Sequence, residues 1–278
     1  MLNASTHRPP EVKPPRPLVL AAVRTLLTPL LLWQGAAVRR KTPRLPEAAG
    51  PRQGKFGRGP ASVRLLIVGD SSAAGVGAPT QAEALAGQLA SELATYGHGT
   101  VSWQLVARTG LSARAALALM AATQLQQADI LITVLGINDT LEQTPPGRWM
   151  KALDAIHSHA RYRAGVDYSV HCAPPRLDLL PLLPQPLRWV LGATAAQLDA
   201  TLQARMHDAK RRSRLVIPFD PRVDRPEDWL ASDGFHPNPK LYQRWAAALA
   251  AHIDVLLNQV PDANTVRPSG FSGFDTLR

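Results

Sequence analysis

The amino-acid sequence predicts an α/β fold in three layers: a five-stranded parallel sheet covered on both faces by helices. Apolar runs of six to eight residues alternate with stretches of helical period five times between residues 62 and 258. Those runs are apolar at consecutive positions, as strands buried on both faces require. A chain of 278 residues can bury roughly three quarters of its unfolded surface, enough for a full three-layer core.

The elements follow in order. VRLLIVG (63–69) is the first strand, and residues 80–96 the first helix of the domain, with Thr80 and Glu83 as a capping box. VSWQLVA (101–107) precedes a helix over 112–127. DILITVLG (129–136) is the most apolar strand, and a helix over 146–163 starts after Pro145 and Pro146. VDYSVHC (166–172) is the fourth strand. A Pro/Leu segment, 173–187, leads into a helix over about 188–212. RLVIPF (214–219) is the fifth strand, 239–258 a closing helix, and 259–278 a tail.

Residues 1–60 form a basic extension to this domain, which spans 61–258. The first 16 residues are polar with four prolines and read as disordered. Residues 18–38 are apolar at 15 of 21 positions and run into Arg39, Arg40 and Lys41; 42–60 is Pro/Gly-rich and reads as a linker. The apolar stretch admits four readings: an interfacial helix, a helix packed on the domain, a spanning helix, or a signal peptide with Gly35-Ala36-Ala37 as its cleavage site. Arg24 and Pro29 weaken the spanning reading, and the basic run after Ala37 weakens the signal peptide. The membrane-associated, cytoplasmic and exported locations all stay open.

Charge excludes one function class. Of the net charge of +10, residues 1–60 carry +9 and residues 61–278 carry +1. The globular part is nearly neutral, so no nucleic-acid partner is expected. An anionic membrane surface could instead meet residues 18–44. The single cysteine, Cys172, excludes an internal disulfide framework and a cysteine-rich metal site.

In a parallel sheet the site lies beyond the carboxyl ends of the strands. Four segments there can carry chemistry. Gly69-Asp70-Ser71-Ser72 places a serine on a strand-to-helix turn. It is not a phosphate loop, because the glycine spacing is wrong and Asp70 would repel phosphate. Gly110 follows the second strand, where a glycine lets a backbone N–H approach a ligand. Asn138, in Gly136-Ile137-Asn138-Asp139, can present an amide donor. Asp233 and His236 share one turn, so the carboxylate can fix the imidazole tautomer and leave the other nitrogen as a base. His157 and His159 read as surface residues, and His171 ends a strand without an obvious partner.

Each segment has an ordinary structural alternative, from a turn serine to a helix-start aspartate, but their order is specific. Over about residues 62–256 the sequence resembles the SGNH (GDSL-type) hydrolases. The matching blocks are G-D-S at Gly69 to Ser71, the isolated Gly110, G-x-N-D at Gly136 to Asp139, and D-x-x-H-P at Asp233 to Pro237. Ser72 stands where many members carry Leu. The resemblance implies a flavodoxin-like α/β/α sandwich. It also implies Ser71 as nucleophile, His236 as base, Asp233 as its orienting acid, and an oxyanion hole from Ser71, Gly110 and Asn138. PLLPQPLRWVLG (181–192) and the GDSSAAGVGA context look like an esterase/lipase branch sometimes called FeeA/FeeB-like, associated with fatty-acyl esters.

The expected function is serine-dependent hydrolysis of carboxylic esters through an acyl-enzyme, with an acyl-chain ester as substrate and no metal or organic cofactor. Leu179, Leu180, Leu182 and Leu183, in a segment too apolar for an ordinary surface loop, are expected to line the acyl site. The alternatives are a carbohydrate O-acetyl esterase and a non-catalytic domain that binds membrane surfaces.

Overall fold

In the computed structural model, residues 15–207, 209–220 and 224–258 are described. The expected disorder of residues 1–14 and the tail 259–278 lie outside them. The chain order is α1 (Pro17–Lys41), β1 (Gln53–Phe56), β2 (Val63–Gly69), α2 (Leu85–Thr95), β3 (Val101–Ala107), α3 (Ala113–Ala121), β4 (Ile130–Val134), α4 (Ile137–Leu141), α5 (Pro146–Ala164), β5 (Tyr168–Cys172), α6 (Leu187–Met206), β6 (Arg212–Leu215), α7 (Pro226–Trp229) and α8 (Pro239–Asn258). A short 3-10 turn, Leu177–Leu179, lies between β5 and α6.

The sheet has six strands in the order β1-β3-β2-β4-β5-β6. The four parallel pairings among β2 to β6 are those of a doubly wound sheet, and β1 adds an antiparallel edge to β3. The expected five-stranded sheet is therefore five parallel strands plus one. The sequence QGKF of β1, mostly exposed, has no apolar alternation and lies in the span that reads as a linker, so its pairing was invisible to periodicity.

Strand alternation divides the core. Leu65 and Ile67 of β2 face α2 and α8, together with Ile130, Ile132 and Val170. Leu66 and Val68 face α3, α5 and α6, together with Leu131, Leu153 and Leu198. Both faces of the strand are buried, which is why its sequence is apolar without interruption.

Some element ends differ from expectation for local reasons. The helix expected from Thr80 starts at Leu85. The Thr80 hydroxyl bonds Glu83 at 2.9 Å, but Thr80 bridges Ala49 and the Gln81 N–H donates to Ala49 O, so these residues are held outside the helix. The helix expected over 112–127 stops at Ala121, because the Gln104 side chain bonds the extended backbone of Gln124 and Gln126. The closing strand runs only from Arg212 to Leu215, and α6 ends at Met206.

β2 is the switch point of the sheet: the chain leaves it for β3 on one side and reaches β4 on the other. A crevice opens where neighbouring strands send their connections to opposite faces. The residues following β2, β3 and β4 meet there.

Candidate active site

Ser71 lies two residues past the end of β2, in a turn where Asp70 Oδ1 accepts the Ser72 N–H at 3.0 Å. Gly77 lets this turn approach the segment that carries His236. A Cβ at Gly77 would stand 2.2 Å from Pro237 O, and its φ of +96° favours glycine. Tyr242 of α8 donates to Val76 O at 2.7 Å and ties the same two segments together.

The His236 segment is a tight turn closed by the Ala231 N–H to His236 O at 2.8 Å. Asn238 ends it by capping α8, with Oδ1 accepting the N–H groups of Lys240 and Leu241. Within the turn, Asp233 Oδ1 accepts the N–H of Phe235 and of His236, each at 3.0 Å. Its Oδ2 lies 2.6 Å from His236 Nδ1. An ionised carboxylate only accepts, so Nδ1 carries the proton and Nε2 is the acceptor. His236 Nε2 then lies 2.9 Å from Ser71 Oγ, and the hydroxyl donates to it.

Asp233 is buried. Burial alone would raise its pKa, but the hydrogen bonds from the His236 ring and from the two backbone N–H groups outweigh it and hold the carboxyl below its ordinary value. It stays an anion facing the imidazole.

The expected oxyanion groups are brought to the same crevice. Gly110, in the turn after β3, has a φ of +84° and open space where a side chain would stand. Asn138 sits in the first turn of α4 after β4; its Nδ2 donates to Leu111 O at 3.1 Å, with a longer contact of 3.5 Å to Asp70 Oδ2. The neighbouring Asp139 is buried, and its Oδ2 accepts the Ala113 N–H at 2.9 Å, at the start of α3. Asp139 therefore packs inward where Asn138 faces the crevice.

Beside the Ser71 turn lies an apolar cavity whose lining includes neither Ser71 nor His236. Asp70 and Ser72, the residues flanking Ser71, are in its wall, with Leu180, Phe219, Leu230, Leu241 and Trp245 opposite. Of the four leucines expected at an acyl site, only Leu180 lines it. Leu183 is buried in a cluster with Leu177, Leu187 and residues Leu20 and Leu31 of α1. Leu179 and Leu182 are half-buried and line no part of the cavity. The chain is a 3-10 turn only at Leu177–Leu179 and is not helical again until Leu187, so the four leucines share no helix face. Phe219, Leu230 and Leu241 come from three separate segments, so no local sequence pattern groups them at the cavity.

Other histidines are placed elsewhere. His171 is fully buried, 2.8 Å from Thr133 Oγ1 and facing Arg212; it does not reach the crevice. His157, read as a surface residue, is half-buried and 2.7 Å from Ser169 Oγ. Burial, aided by Arg212, pushes the His157 pKa down to about 4.

An α/β/α sheet with a carboxylate, an imidazole and a hydroxyl in one hydrogen-bonded line at its carboxyl edge defines a hydrolase class of protein. Residues 67–244, more than half of the chain, match the GDSL-like Lipase/Acylhydrolase family, and the chain belongs to that family. It is a carboxylic ester hydrolase. Among solved structures it is similar to the lipase Lip_vut3 from a goat rumen metagenome, with a TM-score of 0.52 and 18% identity over 68% of this chain and 96% of that one. It is also similar to TesA (TM-score 0.51, 20% identity, 69% and 99% coverage). A member of the lipolytic protein G-D-S-L family from Veillonella parvula DSM 2008 matches at a TM-score of 0.50 and 16% identity, covering 68% and 97%. These likenesses concern the fold. No curated protein matches the sequence significantly.

Proposed function

We propose that the protein hydrolyses esters with an apolar acyl chain through a serine acyl-enzyme. The observation that carries the mechanism is the Asp233–His236–Ser71 line, with contacts of 2.6 and 2.9 Å. Ser71 Oγ attacks the ester carbonyl while its proton passes to His236 Nε2. The resulting oxyanion is held by the Ser71 and Gly110 N–H groups and the Asn138 amide. Collapse expels the alcohol, which takes the proton from His236. Water then attacks the acyl-enzyme, with His236 as base again, and releases the acid and Ser71.

The apolar cavity beside the Ser71 turn supports an acyl chain longer than acetyl. Helix α1 supports delivery from a lipid surface. One side of it packs on the domain through Leu20, Leu31 and Gln34, and Gln34 bonds Gln185 O and the Leu187 N–H. The other side leaves Leu26 79% exposed, Leu32 69% and Trp33 64%, next to Arg39, Arg40 and Lys41. By length and composition alone the helix could also cross a membrane. Its hydrogen bonds to the domain favour a helix lying in the interface of an anionic membrane.

The test combines fluorophosphonate labelling with a p-nitrophenyl ester series from acetate to palmitate. Labelling lost in Ser71→Ala, and a kcat/KM that rises beyond acetate, are the expected results. Labelling that survives in Ser71→Ala overturns the nucleophile, and a series that peaks at acetate overturns the acyl-chain reading.

A further inference from the structure

We infer that Glu47, which lies upstream of the family-matched region, is a positioning residue for the oxyanion hole. The inference rests on the proposed role of the Gly110 N–H. Glu47 Oε1 accepts both the backbone N–H of Thr109 at 2.6 Å and its hydroxyl at 2.8 Å. The other carboxylate oxygen bonds Arg52. Thr109 directly precedes Gly110, so holding its N–H and hydroxyl fixes the residue that delivers the Gly110 peptide into the crevice.

Downstream of Gly110 the chain is held by Asn138 Nδ2 on Leu111 O at 3.1 Å, but upstream of it the loop has little else. Residues 108–110 are exposed, and no atom would touch a Cβ on Gly110. The main backbone bond upstream, from the Arg108 N–H to Gly69 O, is long at 3.4 Å. A carboxylate accepting two donors on one residue is a strong tether for such a loop. Burial would raise the Glu47 pKa, but the Thr109 bonds and Arg52 outweigh it and hold the group below its ordinary value. The charge is therefore present at neutral pH.

Glu47 is itself held against the nucleophile turn. The next residue, Ala48, is buried and donates to Ala74 O at 3.2 Å. Gln81 Nε2 bonds both Ala48 O and Ala74 O, and the Gln81 N–H donates to Ala49 O at 2.8 Å. Downstream, the Leu105 N–H donates to Arg52 O at 2.8 Å, and β1 then pairs with β3. One strap, residues 47–56, thus touches the Ser71 turn, the Gly110 loop and the strand beneath that loop. It sets two of the three oxyanion donors relative to each other.

The experiment uses the full chain with Glu47→Ala, Glu47→Gln and Thr109→Val. For each, kcat and KM are measured on p-nitrophenyl butyrate, together with the affinity for a boronic acid that forms a tetrahedral adduct. A donor that acts on the transition-state charge moves kcat and leaves KM, so Glu47→Ala is expected to lower kcat ~10- to 100-fold with KM within about twofold. Boronate affinity should fall in parallel, and Glu47→Gln, which keeps an acceptor oxygen, should fall between Glu47→Ala and wild type. Thr109→Val removes one of the two bonds without touching the strap and should give a smaller loss of the same kind. An unchanged kcat in Glu47→Gln and Thr109→Val, or a loss confined to KM, overturns the inference, including where Glu47→Ala fails to fold. Full activity in Ser71→Ala would instead overturn the mechanism on which the inference rests.

Discussion

His236 Nε2 and Ser71 Oγ lie 2.9 Å apart although 165 positions separate them. Two devices hold that distance. Gly77 removes the side chain that would strike Pro237 O, and Tyr242 donates across the gap to Val76 O. The close approach is built into packing on both sides of the pair, so substitution of the pair itself should leave the fold standing.

The first prediction follows. Ser71→Ala removes only a hydroxyl from a residue between Asp70 and Ser72. Esterase activity should fall to background, while the thermal melt stays cooperative and within a few degrees of wild type. Activity above a few per cent of wild type, after repurification, would assign the nucleophile elsewhere.

A second prediction separates two adjacent residues. Asn138→Ala should lower kcat by ~10²–10³ with little change in KM, the cost of losing an oxyanion donor. Asp139→Ala should act on the fold instead, because its carboxylate accepts the Ala113 N–H at the start of α3. Loss of a helix-start acceptor costs ~0.5–2 kcal/mol. Equal kcat losses in the two variants would contradict this division of labour.

The site was more legible in the sequence than its surroundings. Ser71, Gly110, Asn138 and the Asp233–His236 turn each follow a strand or precede a helix, so local pattern and the rule about carboxyl edges brought them together. Glu47 was not legible, because its partner Thr109 is 62 positions away and QGKF does not look like a strand. The cavity was half legible: the leucine-rich segment announces an apolar function, but its leucines share no helix face, so no period says which one turns inward. α1 was left open between packed and interfacial readings, and the structure shows both a packed side and an exposed apolar side on one helix.

Stability should respond to pH through Asp70. Burial is the main cause that pushes its pKa from 3.8 up to about 7. A native value above the unfolded one means that the native state holds the proton more tightly. The contribution is complete below the unfolded value and is lost as pH rises through the native one. Asp139, raised to about 6 mainly by burial, acts in the same direction. Asp70→Asn cannot ionise, so its Tm relative to wild type should increase between about pH 5 and pH 8. A constant difference across that range would show that Asp70 is ionised throughout. Half-buried His157, pushed down to about 4, works oppositely: its contribution is lost as pH falls toward that value.

The cavity makes a prediction about chain length. Ser72 is in its wall, and Ser72→Leu fills space there. Activity on p-nitrophenyl octanoate should fall ~10-fold or more while activity on the acetate stays within a few-fold, since apolar pocket contacts are worth ~1–3 kcal/mol per small group. Leu182→Ser, at a position that lines no part of the cavity, should leave the ratio unchanged. A uniform loss across chain lengths in Ser72→Leu would place the acyl chain outside this cavity.

The last prediction concerns α1. Leu26, Leu32 and Trp33 are exposed on the side away from the domain, and Arg39, Arg40 and Lys41 occupy the last turn. Burial of a large apolar side chain in a lipid interface is worth ~1.5–3 kcal/mol, and each basic residue near an anionic leaflet adds ~1 kcal/mol. The two contributions can be told apart by salt, which screens only the second. Wild-type protein should sediment with phosphatidylserine-containing vesicles more than with pure phosphatidylcholine, and the difference should shrink as salt rises. Replacing Arg39, Arg40 and Lys41 by Ser should abolish the difference between the two vesicle types. Replacing Leu26 and Trp33 by Ser should weaken binding to both. All five side chains are exposed, so neither variant should change the melt or the hydrolysis of a soluble ester. If wild-type protein binds neither vesicle, the exposed side of α1 has some other partner; if the Leu26 and Trp33 variant loses its cooperative melt, those residues are part of the core.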